Sequence, residues 1–275
     1  MLLLEYAFLW KGLVGGLLIS ASSSLVGVFL LMKRLSLLGA GLSHAAFGGI
    51  ALAILFNADP TLFTLLYTVL SGLLLQFLIE KRGLPADTVI SLFFSLGVAL
   101  AILVLSITQN LGSNVYSYLF GSVLTVSDRE LYSALATSLL TFLFVLAYYR
   151  KLLLISFNEE LATLRGVKVS LLNYLLISIA SANIVFAIKA VGLILASSFI
   201  AIPPMSALLV AGSFFSTLAL SLFLSLSATL LGMLLSLELD APPSATIILC
   251  MVFIFLILTL WKGITLLKRR LSQTS

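Results

Sequence analysis

Stretches of about twenty apolar residues follow one another along this chain with only short polar punctuation between them, and this pattern decides the class of fold. They lie at roughly 12–32, 36–56, 61–79, 87–107, 130–149, 171–188, 190–210, 214–237 and 244–265, each about the length of one bilayer crossing. Lys33-Arg34, Asn57-Ala58-Asp59-Pro60, Glu80-Lys81-Arg82-Gly83 and Asp240-Ala241-Pro242-Pro243 separate blocks, and Gly212-Ser213 is the expected turn inside 190–237. Charged residues make up 9% of the chain and hydrophobic ones 61%. A soluble domain carries about 25% charged residues, so this chain cannot cover itself with a water-compatible surface. The apolar residues come in continuous blocks and not in short alternating segments, which excludes a transmembrane barrel. The expected fold is an all-α polytopic membrane protein with about nine transmembrane helices, forming one domain over residues 1–275.

Met1 to Trp10 has no basic n-region and no cleavage site, so no removable signal peptide is expected. Cys250 is the single cysteine and lies in an apolar run, where packing is its expected role. The net charge of +5 suits basic loops on the cytoplasmic side better than a nucleic-acid partner. With the N-terminus outside, the inner loops hold Lys33, Arg34, Lys81, Arg82, Arg150, Lys151, Arg165, Lys168, Lys262, Lys268, Arg269 and Arg270. Only Lys11, Arg129 and Lys189 then remain outside. The positive-inside rule therefore predicts N-terminus out and C-terminus in.

Two connections exceed simple punctuation. The outer one, Thr108 to Arg129, contains Tyr116, Tyr118 and Phe120, aromatics suited to the membrane interface. The inner one, Arg150 to Ser170, contains a short helix signature. Asn158 is an N-cap candidate, Glu159 and Glu160 complement the positive helix end, and Gly166 is a stop signal. A short charged helix between two spans reads either as a docking element for a soluble partner or as an ordinary interfacial helix.

Few residues are available for chemistry. His44 is the only histidine and falls inside the second apolar block, where an ionisable group is costly and is by default a functional hypothesis. The alternative is a neutral imidazole hydrogen-bonded to a neighbouring helix. Ala40, Gly41, Gly48 and Ala51 share its helical face, so that face is expected to meet another helix. One histidine and one cysteine supply no catalytic triad and no HExxH, and no GxxxxGK[ST] is present for a nucleotide. The acids group at the two ends of the spans, with Glu238 and Asp240 at the outer end of the eighth. They form either an anionic mouth or a solvated helix end. The lack of mid-membrane carboxylates weighs against an ion-coupled secondary transporter, and the lack of a nucleophile–base pair against a membrane enzyme. Pro203-Pro204 within a span predicts a broken or kinked helix.

An ordered series of motifs then resembles the permeases of zinc- and manganese-type ABC importers. Lys33-Arg34-Leu35-Ser36-Leu37-Leu38-Gly39, leading into Leu42-Ser43-His44-Ala45-Ala46-Phe47-Gly48-Gly49, is similar to that family's second-span signature. Asp87-Thr88, Tyr118-Leu119-Phe120-Gly121-Ser122, Glu160-Leu161-Ala162 with Gly166-Val167, Ile202-Pro203-Pro204-Met205 and Asp240-Ala241-Pro242-Pro243 follow in order. The resemblance implies an architecture like that of the vitamin B12 and siderophore importers, with no intrinsic cofactor. It implies a homodimer of permeases in a prokaryotic cell membrane, on two cytoplasmic subunits that bind and hydrolyse ATP, fed by an extracellular or periplasmic metal-binding protein. The cargo would be a divalent metal (zinc, manganese or iron), with His44 and Asp240 on its path. Glu159, Glu160, Ala162 and Gly166 would dock the ATPase. Two positions depart from the family pattern. Ala40 stands where the family has an acid, and Gly48 where proline is common. The missing acid keeps import of a metal chelate or organic cofactor open.

Overall fold

The computed structural model describes residues 7–108, 121 and 127–273. Among them no strand occurs, and nine helices are long and apolar enough to cross a membrane. The spans are α1 (Ala7–Met32), α2 (Leu38–Leu55), α3 (Pro60–Arg82), α4 (Ala86–Ile107) and α5 (Asp128–Phe157). After the short α6 (Glu159–Leu164) come α7 (Val169–Val191), α8 (Leu193–Val210), α9 (Phe214–Leu239) and α10 (Pro243–Gln273). This is an all-α, multi-pass membrane protein. The expected interfacial aromatics Tyr116, Tyr118 and Phe120 lie outside the described residues.

Most span boundaries fall within a few residues of those the apolar blocks predict. The largest differences are at α5, expected to end near residue 149 and observed to run to Phe157, and at α10, expected to end near 265 and observed to run to Gln273. Arg150 and Lys151 open the expected inner connection, but Leu152 and Ile155 beyond them are buried. A buried face carries the helix past the two charges. Gly212-Ser213 does divide α8 from α9, and Ser213 caps the latter by accepting from Ser216 N–H.

Helix α1 is the most buried span and packs on α5, α7, α8 and α9. Its Ser20, Ser22, Ser23 and Ser24 are all buried, small enough for close helix approach and able to hydrogen-bond across it. Ser22 Oγ donates to Asn183 Oδ1 of α7 at 2.9 Å, and Asn183 Nδ2 donates to Thr141 Oγ1 of α5 at 2.9 Å. On the other side, Ser225 Oγ of α9 donates to Ser24 Oγ at 3.1 Å. Buried polar groups so paired fix which faces of α1, α5, α7 and α9 meet.

Pro203 and Pro204 sit inside α8, which nevertheless runs unbroken from Leu193 to Val210. Of the broken or kinked helix expected there, the continuous secondary structure excludes the break. Pro204 has no N–H to offer the carbonyl of Ile200, and Gly27 of α1 closes on that carbonyl. A side chain at position 27 would overlap the Ile200 oxygen and stand 2.8 Å from Pro204 Cγ.

Two oppositely charged contacts join elements at the end of the molecule that carries the α5 N-terminus. Lys11 Nζ lies 2.6 Å from Asp128 Oδ1, and Arg129 lies 3.6 Å from Asp59. Lys189 donates to Thr61 Oγ1. The three cations assigned to this side by the loop-charge count are thus each held by a neighbour.

Candidate functional site

His44 sits on the seam between α2 and α4, the most extensive helix pair among the described residues. Gly41 and Gly48, about one turn either way on the same face, make that closeness possible. A Cβ at position 41 would stand 2.7 Å from Ile90 Cγ2, and one at position 48 would stand 3.0 Å from the Gly97 carbonyl oxygen. The reciprocal constraint is Gly97, where a Cβ would overlap the carbonyl of His44 itself. The small-residue face does meet another helix, as its spacing predicts.

The imidazole packs on Phe94 of α4, with ring centroids 4.0 Å apart and planes inclined by 50°. Its Nδ1 is buried and has no hydrogen-bond partner. A neutral imidazole carries one donor and one acceptor nitrogen, and leaving a buried one unpaired costs about 1–3 kcal/mol. A histidine kept only for interhelical hydrogen bonding would be expected to use this atom. The seam therefore holds the ring by packing and leaves ligating capacity unspent. Ala40, one turn earlier and partly buried, adds no oxygen ligand.

Asp240 is placed elsewhere. It is the exposed C-cap of α9, in the left-handed region at φ 48° and ψ 37°, a conformation that aspartate tolerates better than most residues. The cap is tied by Ser236 Oγ, which donates to the Ala241 carbonyl at 2.6 Å. Helices α2 and α9 do not form an extensive pair, and the described residues contain no group of three or more His, Cys, Asp or Glu able to hold a metal. His44 thus belongs to the α2–α4 seam and Asp240 to the exposed end of α9.

The second functional element is α6. Asn158 Oδ1 accepts from Leu161 N–H at 2.8 Å, and the N-cap read from sequence is present. At the other end Gly166, at φ 74°, closes the helix. Its N–H donates to Thr163 and that of Val167 donates to Ala162, the paired bonds of a Schellman turn. Ala162 is fully buried, whereas Glu160, Leu161, Leu164 and Arg165 face outward, Leu164 at 85% exposure. Beside the helix a cavity of about 810 Å³ is lined by Glu80, Glu159, Glu160, Thr163, Lys168, Tyr174 and neighbours.

Glu159 differs from Glu160 in being engaged within the chain. Its carboxylate accepts from Lys33 Nζ and, at 3.2 Å, from Asn173 Nδ2 of α7. Lys33 also donates to Asn173 Oδ1 at 2.8 Å, closing a triangle. Lys33 is placed by a second Schellman turn, in which Arg34 takes the left-handed position at φ 60° and Leu35 is buried. Reading the sequence alone did not find this triangle, because its members lie on three elements and no local pattern links them.

With the fold and these two elements in place, comparison with known proteins is decisive. The profile of the ABC 3 transport family matches residues 5–262. This chain belongs to that family. It is 32% identical to a "Probable metal transport system membrane protein" of Treponema pallidum (strain Nichols), across 94% of this chain and 97% of that protein. It is 28% identical to the "Manganese import system permease protein ScaB" of Streptococcus gordonii, across 92% of this chain and 91% of that one. Among solved structures it superposes on a chain of PsaBC from Streptococcus pneumoniae in complex with Fab. The TM-score is 0.82 at 26% identity, covering 93% of this permease and 92% of that chain.

Proposed function

We propose that this chain is the membrane-spanning subunit of an ATP-driven importer of a divalent transition metal ion (zinc, manganese or iron). In this reading residues 1–275 form one permease domain, which pairs with a second copy. The connection at about 150–170 docks two cytoplasmic subunits that bind and hydrolyse ATP, and an extracellular or periplasmic metal-binding protein delivers the ion. The N-terminus lies outside and the C-terminus inside a prokaryotic cell membrane, as the loop charges favour.

The observation that carries the reading is the pairing of a family-wide fold match with a capped, outward-facing helix α6 between two spans. That helix offers Leu161, Leu164 and Glu160 to a soluble partner while Ala162 anchors it. The names of the manganese-import relatives support the class of cargo. His44 lines the metal path with a nitrogen the fold leaves unpaired, and imidazole suits zinc and other first-row ions. Asp240, at the rim, adds negative charge that attracts a cation toward the mouth. A conduction path needs sites weak enough to release their ion, so a sparse ligand set suits it.

Metal-dependent ATP hydrolysis by the complex, reconstituted with its binding protein and titrated with zinc, manganese and iron, tests the reading. Stimulation by one ion is expected, and hydrolysis indifferent to all three would overturn it. Replacing His44 by alanine should lower uptake by about tenfold, the equivalent of about 1.4 kcal/mol of binding, with the complex still assembled. Normal uptake by that variant would remove His44 from the path. Import of a chelate is the second reading, favoured by Ala40. Competition uptake with free ions against chelates separates the two.

A further inference from the structure

We infer that Glu159 is a positioning residue that ties the docking helix to α1, the most buried span of the membrane domain, through Lys33 and Asn173, and that this tie transmits the ATPase stroke. The inference rests on α6 being the docking element. It concerns what lies behind that surface, inside the permease.

Helix α6 forms packing contacts with α5 and α7, and none of the extensive pairs joins it to α1. Yet α1, the most buried span, packs on α8 and α9 as well as on α5 and α7, so a displacement reaching α1 also reaches two spans with which α6 forms no extensive pair. The Lys33–Glu159 ion pair spans this gap. Lys33 stands at the end of α1, held there by the left-handed turn at Arg34, and its side chain is only 8% exposed. Among the described residues Glu159 is its only ionic partner. Asn173, buried on α7, supplies a carbonyl oxygen to the ammonium and an amide to the carboxylate, so both charges are further satisfied.

The two ends of the pair sit in different surroundings. Glu159 is 51% exposed on a six-residue helix and could be resolvated if it moved. Lys33 could not, because withdrawing the carboxylate strands a nearly buried ammonium. When a partner pulls α6, the low-energy response is for Lys33 and α1 to follow. Glu160, with no such tie and facing outward, remains available to the partner.

The test uses the assembled complex of permease, ATPase and binding protein in proteoliposomes. It reads three quantities separately: ATPase capture, ATP hydrolysis rate and ions transported per ATP. The resemblance grouped Glu159 with the docking residues, but its carboxylate is taken up by Lys33 and Asn173, so Glu159→Gln and Lys33→Glu should each retain capture and hydrolysis while lowering ions per ATP by at least about fivefold, the low end of allosteric coupling. The double exchange Lys33→Glu with Glu159→Lys should recover ions per ATP to within about twofold, since restoring the pair restores its coupling energy.

Wild-type ions per ATP in Glu159→Gln would overturn the inference. So would loss of capture in that variant, which would make Glu159 part of the docking surface and leave the docking reading intact. Failure of the double exchange to recover coupling, with both single variants assembled, would also overturn it. If Leu164→Asp and Glu160→Arg both left capture unchanged, the docking reading itself would fall, whatever the Glu159 variants do.

Discussion

Around His44 two helices are brought together by what their residues lack, whereas at α6 a helix is held in place by what its residues donate and accept. The α2–α4 seam depends on Gly41, Gly48 and Gly97, each lying against the opposing helix where a side chain would collide. Helix α6 depends on Asn158, Glu159 and the turn at Gly166, with one alanine as its only fully buried anchor. In the apolar layer no water is available to rescue a misplaced polar group, so shape does the specifying. At the membrane surface, hydrogen bonds and charge can be exchanged with water or with a partner. In the function proposed above, a permease holds its cargo path rigid in cross-section and yet lets a cytoplasmic subunit grip and move it, and the two regions divide those tasks.

The comparison can be broken most forcefully at Gly97. An alanine there overlaps the His44 carbonyl, and overpacking that forces backbone apart should cost about 3 kcal/mol. The expected result is a clearly lowered melting temperature of the purified protein. Gly212→Ala, whose added Cβ meets nothing within 4 Å, should leave it unchanged. Equal melting temperatures would mean that the α2–α4 seam is looser than described.

A smaller effect should come from Leu164→Asp, which removes the most exposed large apolar side chain of α6. If the ATPase covers it, capture should weaken by about 2 kcal/mol, or roughly thirtyfold, with no change in melting temperature. Asn158→Ala should remove about 1 kcal/mol from α6 alone. Faster amide exchange confined to residues 159–164 would show it, whereas a change spreading into α2 or α4 would show that the two regions are not separable.

The smallest effect concerns Asp59, which caps α3 by accepting from Leu62 and Thr61 N–H. The bond from Leu62 leads in holding its carboxyl below the ordinary value, with Thr61, Arg129 and Lys189 acting in the same direction. Because the folded-state pKa is depressed, the cap's contribution is complete above the ordinary carboxylate range and fades as pH falls through the lowered value. Protection of the Thr61 and Leu62 amides should therefore persist below that range, and Asp59→Asn should abolish the pH dependence. Loss of protection already at the ordinary carboxylate pKa would contradict the cap's electrostatics.

The sequence made the apolar layer legible because hydrocarbon imposes length and continuity on every span. It also exposed the face around His44, through glycines at helical spacing, and the two ends of α6, through local capping chemistry. The eight residues of α5 beyond 149 were obscured by Arg150 and Lys151, whose charge outweighed the buried Leu152 and Ile155 in a one-dimensional reading. The Lys33–Glu159–Asn173 triangle and the Ser22–Asn183–Thr141 chain were invisible for a different reason. Each joins residues far apart in sequence, and only the packed bundle decides which polar groups meet. Phe94 against His44 belongs with them, since nothing local in α4 names its partner.

The meeting of Gly27 with the Ile200 carbonyl has a mechanical meaning. Where α1 crosses α8, the closest approach is bare backbone against an oxygen that its own helix cannot use. The Pro204 ring stands beside the glycine, so the contact is made by two residues that have no flexible side chain to rearrange. Travel of one helix over the other is limited by how far the oxygen can be carried from its glycine cover into apolar surroundings. Such a crossing works as a bearing with built-in end stops.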